Sequence, residues 1–366
     1  MFWSIQNKLT LKYPYLNGVL LLFAVKLLYL FLGWALSNEH FLEGLAVFTR
    51  NDSFWYMKIF EEGYPTIPPK LWVCDAFPFF PLYPVLLKIT SLGVLNFDVS
   101  AFLLSFILLF FFAKGISKLA YFQNDQNKVI SFLLVWLALP FHYFFFMNYT
   151  ELLFIAIVFW ILVRIEQQKH LHLGLLLFML VLCRPTGLIS AFLIWIWKVM
   201  LAKSDKSFLQ RVFSKQSFVF LAAPLGLAIY MIYLQLHCGD AFAFNHSVIT
   251  WGRTWGNPFR GFMDLRDWNY YVLTGLTILL LFFTAVYTKK LTLGERVFQW
   301  SLITFPLFSG LLVSYYRYFM VVFPIHFTWA NEINANKNRR LIVAILATIN
   351  LITYSYWVIN HGILSY

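Results

Sequence analysis

The sequence predicts an all-α polytopic membrane protein with about eleven transmembrane helices. Two observations support this fold class. Hydrophobic residues make up 61% of the 366-residue chain and charged residues only 12%, whereas a soluble protein typically carries about a quarter charged residues. The apolar residues also form runs of helical length, separated by short polar clusters. We therefore expect a single multi-pass membrane domain over residues 1–366.

The predicted membrane segments lie at 15–36, 98–118, 129–147, 150–165, 171–183, 187–201, 217–236, 271–288, 297–314, 318–333 and 341–359. A full crossing needs roughly 20 residues, so the short segments at 171–183 and 187–201 are expected to be tilted or broken. Residues 79–94 predict an interfacial helix rather than a crossing, because Pro81 and Pro84 interrupt the helical pattern.

Alternating the predicted segments across the membrane places most lysines and arginines on the side of the N-terminus. This is the positive-inside distribution, so that side is predicted to be cytoplasmic. It accounts for the formal net charge of +12 without a nucleic-acid partner. Two large outer loops follow from the same topology, at 37–97 and 237–270, and they hold most of the unusual polar residues.

The stretch 50–84 combines carboxylates, aromatics and prolines without a membrane-length apolar run. Loose backbone and charge of this kind are not tolerated in lipid, so we expect the stretch to lie in water or in a protein cavity. Asp52 has two interpretations. It either caps a short helix beginning at Ser53, or it acts as a general base in an aromatic pocket with Trp55 and Tyr56.

The other candidate site residues are one acid and a set of arginines on the predicted outer face. Asp75 is the natural second carboxylate of the first loop. Arg184, where two short apolar runs meet, either extends to the interface or binds a phosphate, which suits a planar and permanently charged guanidinium. Arg317 has the same two interpretations. Arg253 and Arg260 lie in the second loop, where simple solvation is the alternative.

Two further charged residues have a specific expectation. Glu151 opens a predicted helix, where an acid interacts favourably with the helix dipole. Lys26 lies in the middle of the first predicted span, so it is expected to face the bundle and to pair with an acid. The histidines and the three cysteines show no metal-ligand spacing, and we expect neither a metal site nor a cofactor.

Several stretches, in order along most of the chain, match the pattern of one family. They are Asp52-Ser53 with Gly63-Tyr64, Ala76 to Pro84, Tyr149 to Phe154, Arg184-Pro185-Thr186-Gly187, Gly239-Asp240 with Trp251-Gly252-Arg253, and Arg317-Tyr318. The chain thereby resembles the PIG-V-like mannosyltransferases, the family of the enzyme that adds the second mannose to GPI anchors. Asn51 stands where the family has Trp, and Pro185 where it has Ser, so the acceptor stays open between a GPI precursor and another molecule.

The resemblance implies the membrane glycosyltransferase fold called GT-C. It implies a polyprenyl- or dolichyl-phosphate sugar donor, a lipid-linked or glycan acceptor, contact with membrane lipids, and Asp52 as the base. The residues expected to bind substrate are Arg184, Arg317, Arg253, Asp75, Trp55, Tyr56, Glu151 and Asp240. The expected location is a bacterial cytoplasmic membrane, or the endoplasmic reticulum of a eukaryote, with the active site on the non-cytoplasmic face.

Two other classes of protein fit a multi-pass membrane chain. A transporter or flippase of a lipid-linked or small polar solute should show repeated halves and ionisable groups near mid-membrane. Here only Lys26 is clearly mid-span, and the sequence shows no internal repeat. A non-catalytic assembly subunit would give the polar clusters around Asp52 and Arg184 no purpose. The transferase is therefore the favoured prediction.

Overall fold

The computed structural model describes residues 15–37, 43–70, 73–122, 125–139, 142–202, 205–253, 255–263, 268–309, 312 and 315–361. Every regular element in these ranges is helical. The α-helices are α1 (Leu16–Ser37), α2 (Asp52–Glu62), α3 (Leu82–Ser91), α4 (Phe97–Lys118), α5 (Gln126–Ala138), α6 (Glu151–Glu166), α7 (His170–Cys183), α8 (Thr186–Trp195), α9 (Phe208–Val212), α10 (Lys215–Val219), α11 (Ala222–Cys238), α12 (Ala243–Val248), α13 (Arg260–Met263), α14 (Trp268–Tyr287), α15 (Leu293–Thr304), α16 (Tyr315–Phe319), α17 (Phe323–Asn334) and α18 (Lys337–His361). Short 3₁₀ turns lie at Glu43–Phe48, His142–Phe145, Ile249–Trp251, Thr288–Lys290 and Phe305–Ser309, and a π-helical turn spans Ile196–Met200.

Three described stretches are long and apolar enough to cross a membrane. They are Leu16–Ala35, Phe97–Lys118 and Lys215–Cys238, with 20, 22 and 24 residues. Each reaches the roughly 20 residues that the hydrocarbon thickness demands. The prediction of an all-α chain with apolar helices of membrane length is confirmed to this extent. Shorter apolar helices cover Gln126–Ala138, His170–Cys183 and Thr186–Met200.

The span predicted at 129–147 is wrong as one continuous helix, because α5 ends at Ala138. Leu139 then adopts an extended conformation with ψ of 138°. The reason is Pro140, since the ring of a proline disfavours the helical conformation of the residue before it. A separate 3₁₀ turn follows at His142–Phe145.

The span predicted at 318–333 is also divided. The short helix α16 ends at Phe319, and α17 begins at Phe323. Pro324 explains the division, because it has no N–H to continue the hydrogen-bond ladder from the preceding turn. In the first turn of a new helix that missing donor costs nothing. The helix predicted over 79–94 is observed as α3, with Pro81 preceding it, and its location at the membrane interface stays a prediction.

The chain divides into two compact units, each assembled from separate stretches. The first unit comprises residues 1–53, 86–167 and 329–363. In it, α1 packs against α4, α5, α18 and the Glu43–Phe48 turn, and α4 packs against α6. The second unit comprises residues 54–85, 168–328 and 364–366. In it, α7 packs against α8 and α11, and α15 packs against α8 and α16. The single membrane domain over 1–366 stays a prediction.

In the second unit, the proline-rich run that precedes α3 is fixed against α11. Phe77 and Phe80 are fully buried and pack with Tyr230 and Leu234. The Tyr230 hydroxyl donates to the Phe77 carbonyl at 2.9 Å. The Tyr64 hydroxyl donates to the carbonyl of Phe79 in the same run. Non-helical backbone in an apolar setting needs such partners, and here two tyrosines supply them.

The Tyr230 hydrogen bond makes a prediction about stability. Tyr230→Phe keeps the ring but leaves the buried Phe77 carbonyl without that donor, which should cost about 1–3 kcal/mol. We expect a lower melting temperature in calorimetry of the detergent-solubilised protein. Tyr233→Phe is the matched control, because Tyr233 is on the same helix and its side chain is exposed. Equal melting temperatures for both variants would contradict the role given to Tyr230.

Candidate functional site

Asp52 is the first residue of α2, one position earlier than the sequence predicted. The turn before it depends on Asn51, whose φ of 48° is in the left-handed region. Asparagine tolerates this conformation better than most residues. A carboxylate in the first turn interacts favourably with the helix dipole, whereas the capping interpretation placed Asp52 just before the helix. Its role as a base stays a prediction.

Three aromatic rings form a cluster in the second unit, defined by Trp55, Phe79 and Trp251. The rings of Trp55 and Phe79 stack with centroids 5.8 Å apart and 11° between their planes. Trp251 meets both edge-on, with centroids 5.3 Å from Trp55 and 5.7 Å from Phe79. Tyr56, on the next position of α2, packs edge-on against Phe79 and Tyr83.

Trp251 also carries a polar group into this cluster. Its indole Nε1 is buried and has no hydrogen-bond acceptor within the described part of the chain. A buried donor without an acceptor costs free energy. A ligand that supplied an acceptor would remove that cost, whereas the aromatic faces offer it apolar contact.

Asp75 is half-buried in the same unit. Its Oδ1 accepts a hydrogen bond from the Phe77 N–H at 3.1 Å. Burial raises the pKa of the Asp75 carboxyl above its ordinary value, and hydrogen bonds from the Ser247 side chain and the Phe77 N–H oppose that rise. Perturbed carboxyls of this kind are common in functional sites. The contact with Ser247 was not predicted from the sequence.

Asp240 makes contacts within its own loop. Its Oδ2 lies 2.7 Å from His246 Nδ1, and its Oδ1 accepts from the Phe242 N–H at 2.9 Å. This carboxylate thereby organises the turn that begins α12. These contacts give Asp240 a local structural role, and its contact with substrate stays a prediction.

The arginines predicted to bind phosphate belong to the second unit. Arg184 ends α7 in an extended conformation, so the predicted break between two short helices is observed. Its guanidinium lies 5.8 Å from the centroid of the Tyr318 ring. Arg317, the preceding residue of α16, is buried. Arg253 follows a left-handed turn at Gly252 and is partly buried. Arg184 is therefore adjacent to the helix that carries Arg317.

Glu151 is buried in the first unit and begins α6, as the sequence predicted. Asp52 belongs to that unit as well, whereas Asp75, Arg184 and Arg317 belong to the second. Action of both groups on one substrate stays a prediction. Trp72, which is predicted from the sequence to stack on sugar or lipid, lies outside the described residues, as do parts of the loops 37–97 and 237–270.

Comparison of the chain with protein-family models, with curated proteins and with solved structures found no match. The resemblance to the PIG-V-like family therefore stays a prediction that rests on the sequence motifs alone.

Protein metal sites are built mainly from His, Cys, Asp and Glu side chains. Among the described residues, no three His, Cys, Asp or Glu side chains lie together as a metal site would require. The three cysteines are free thiols, two of them buried. The reaction without a metal or cofactor stays a prediction.

Lys26 differs from its prediction in one respect. It is fully buried and faces the bundle as expected. Its Nζ donates to the carbonyl of Phe146 at 2.5 Å and lies 3.5 Å from the centroid of the Phe48 ring. Among the described residues its partners are therefore a carbonyl and an aromatic face, and the expected acid is not among them. A carbonyl dipole and a ring face both attract a cation.

The close packing of Gly187 at the Arg184 turn predicts that a larger residue there destabilises the protein. A Cβ at this position would lie 2.3 Å from the Leu180 carbonyl oxygen, so Gly187→Ala must separate α7 from α8. We expect it to lower the melting temperature by several degrees, as a destabilisation of about 1–3 kcal/mol would. Gly275→Ala in α14 is the control, because its Cβ would meet open space. A Gly187→Ala protein as stable as Gly275→Ala would refute the close approach.

The raised pKa of Asp75 predicts how the stability of the protein depends on pH. Its raised pKa means that the folded protein disfavours the ionised carboxyl. Below the unfolded pKa of about 4, the Asp75 carboxyl is protonated in both the folded and the unfolded protein, so its burial costs no stability. Stability is lost as pH rises through the folded pKa, because the buried carboxyl must then ionise. Asp75→Asn should therefore melt at a higher temperature than wild type at pH 7.5, and the difference should shrink towards pH 4.

The control for this experiment is Glu61→Gln, which makes the same change of charge at an exposed position of α2. We expect its melting temperature at pH 7.5 to equal that of wild type, because the Glu61 side chain is exposed. An Asp75→Asn protein that is less stable than wild type at pH 7.5, and equally so at pH 4, would contradict the burial effect.

Proposed function

We propose that the chain is a GT-C-like membrane glycosyltransferase with about eleven transmembrane helices. It transfers a sugar, mannose by its resemblance to the PIG-V-like family, from a polyprenyl or dolichyl phosphate to a lipid-linked or glycan acceptor. One observation carries this proposal: α2 begins with Asp52 and carries Trp55, whose ring packs against Phe79 and Trp251. A carboxylate and an aromatic platform on one helix suit a sugar, which offers hydroxyls and apolar ring faces.

The proposed reaction is a direct displacement at the anomeric carbon. A hydroxyl of the acceptor attacks that carbon, and Asp52 takes the hydroxyl proton. The bond from the anomeric carbon to the phosphate oxygen breaks, and the leaving group is the lipid monophosphate. Arg184 and Arg317, with Arg253, are proposed to stabilise its charge, which suits fixed guanidinium groups. A single displacement inverts the configuration of the sugar.

The proposed location is the outer or lumenal face of a membrane. The three helices of membrane length support insertion. The remaining crossings are proposed for shorter apolar helices that are tilted or broken. The proposal places α2 and the aromatic cluster beyond the hydrocarbon, where irregular backbone is tolerated.

A transporter or flippase is the competing class, and Lys26 is the residue most relevant to it. Ionisable groups in a membrane helix commonly mark a transport pathway. Here, however, the Lys26 ammonium is fully buried and bonded to the Phe146 carbonyl. These contacts explain the lysine as part of the packing of the first unit. They favour the transferase over the transporter.

The base assignment is tested with Asp52→Asn. This variant keeps the shape of the side chain but accepts a proton far less readily, so transfer should fall by about 10²–10⁴-fold. The assay measures sugar transfer from labelled polyprenyl-phosphate mannose to extracted acceptor lipids in membranes that contain the purified protein. Glu61→Gln, an exposed carboxylate of the same helix, is the control and should retain the wild-type rate.

Two outcomes would overturn the proposal. Transfer by a folded and inserted Asp52→Asn protein at the wild-type rate would remove Asp52 as the base. Solute or lipid movement across vesicles by a wild-type protein that transfers no sugar would replace the transferase with a transporter.

A further inference from the structure

The two residues that precede the Asp52 turn, Phe48 and Thr49, are held by contacts from several helices of the first unit. Both are buried, with 1% and 5% of their surface exposed. Phe48 ends the Glu43–Phe48 turn, and Thr49 follows it in the short connection to α2. Residues of a connection between two helical elements are normally solvated and mobile. The contacts of these two residues therefore need an explanation.

Thr49 takes part in a directional chain of hydrogen bonds. Asn148 Nδ2 donates to Thr49 Oγ1 at 2.9 Å, and Thr49 Oγ1 donates to Asp98 Oδ1. The Thr49 hydroxyl has one proton, which it donates to the Asp98 carboxylate. Its oxygen lone pairs remain free to accept from the Asn148 amide. A hydrogen bond to a carboxylate is stronger than one between neutral groups. The side chain of Thr49 is thereby fixed in one orientation.

The partners of Thr49 lie at or near the starts of two helices of the first unit. Asp98 lies in the first turn of α4, whose N-cap is Asn96. Asn148 is 2% exposed and lies just before α6. Its backbone N–H donates to the Phe48 carbonyl at 3.0 Å. Asn148 thus holds two successive residues, one through its backbone and one through its side chain. We call Thr49, Asp98 and Asn148 the Thr49 clamp.

Phe48 is fixed from its other side as well. The Lys26 ammonium lies 3.5 Å from the centroid of the Phe48 ring, and the Ser53 hydroxyl lies 3.5 Å from its carbonyl oxygen. A cation over an aromatic face is more favourable where water is excluded, as it is here. Residues on both sides of the Asp52 turn are therefore tied to one point in the first unit.

The distance from the clamp to Asp52 is short. Three consecutive Cα steps of about 3.8 Å separate Thr49 from Asp52. The intervening turn is closed by a hydrogen bond from the Ser53 N–H to the Arg50 carbonyl at 2.9 Å, and Asn51 adopts its left-handed conformation there. A short, closed turn transmits the position of Thr49 to the start of α2.

We propose that the Thr49 clamp consists of positioning residues that hold the Asp52 carboxylate in place for proton transfer. This inference rests on the proposed function, in which Asp52 is the base. A base displaced by about 1 Å can cost about 10²-fold in rate although the fold survives. Hydrogen bonds to a backbone position three residues from the base supply the precision that the reaction requires.

The test compares two substitutions of Thr49 in the full-length protein, with labelled polyprenyl-phosphate mannose and the acceptor lipids as substrates. Thr49→Val has nearly the same shape but lacks the hydroxyl, whereas Thr49→Ser keeps it. We expect Thr49→Val to lower kcat by about 10–100-fold with KM changed by less than about threefold. We expect Thr49→Ser to retain kcat within about threefold, because the chain of hydrogen bonds is rebuilt.

The control is Thr348→Val, which removes an exposed hydroxyl that donates to the Ala344 carbonyl of its own helix. It should leave kcat unchanged. Asp98→Asn is the second variant in case Thr49→Val fails to insert. It weakens the same hydrogen bond without removing the side chain, and we expect kcat to fall by about 3–30-fold.

The outcomes separate this inference from the proposed function. If Asp52→Asn is inactive while Thr49→Val and Asp98→Asn transfer at the wild-type kcat, the clamp is refuted and the transferase stands. If Thr49→Val and Thr49→Ser lose activity equally, and in step with their melting temperatures, the clamp is structural only. If Asp52→Asn transfers at the wild-type rate, both proposals fail.

Discussion

The hydrogen-bond demand of an irregular backbone is the constraint on which the candidate site of the second unit depends. The run from Phe77 to Pro81 contains prolines and cannot form a helix, so its carbonyls need other donors. The Tyr230 hydroxyl reaches the carbonyl of Phe77, and the Tyr64 hydroxyl reaches that of Phe79. Phe79 thereby becomes a fixed surface for Trp55 and Trp251. The aromatic cluster follows from this backbone arrangement, and without the two tyrosines the cluster would have no rigid base.

The sequence predicted helices well where composition alone decides them. The apolar runs at 15–36 and 98–118 differ by only a residue or two from α1 and α4, because a long run of apolar residues in lipid can satisfy its backbone only as a helix. The failures lie at the prolines. Hydropathy is summed over a window and does not respond to a single residue, whereas Pro140 and Pro324 each act on one hydrogen bond or one torsion angle.

The candidate site was predictable only in part, and for a different reason. Asp52, Asp75 and Trp55 were found because they interrupt an apolar pattern locally. Ser247 and Trp251 were not connected to them, because their contacts join residues that are far apart in the chain and leave no periodic signal. Thr49 was not predicted as a functional residue, because one threonine beside an apolar run gives no signal in the sequence pattern. The orientation of its side chain is set by Asp98 and Asn148, which approach it from elsewhere in the first unit.

Lys26 shows how a buried charge can be structural. A lysine at the centre of a membrane span costs about 2.5–3.5 kcal/mol on insertion scales, so its presence requires compensation. An acid would supply this through charge, but it would also have to be desolvated. The Phe146 carbonyl and the Phe48 ring give the ammonium a dipole and a quadrupole at a smaller desolvation cost. The same contact fixes Phe48 beside the Thr49 clamp. The charge in the first helix thus stabilises the segment that precedes Asp52 and α2, and a transport pathway is not needed to explain it.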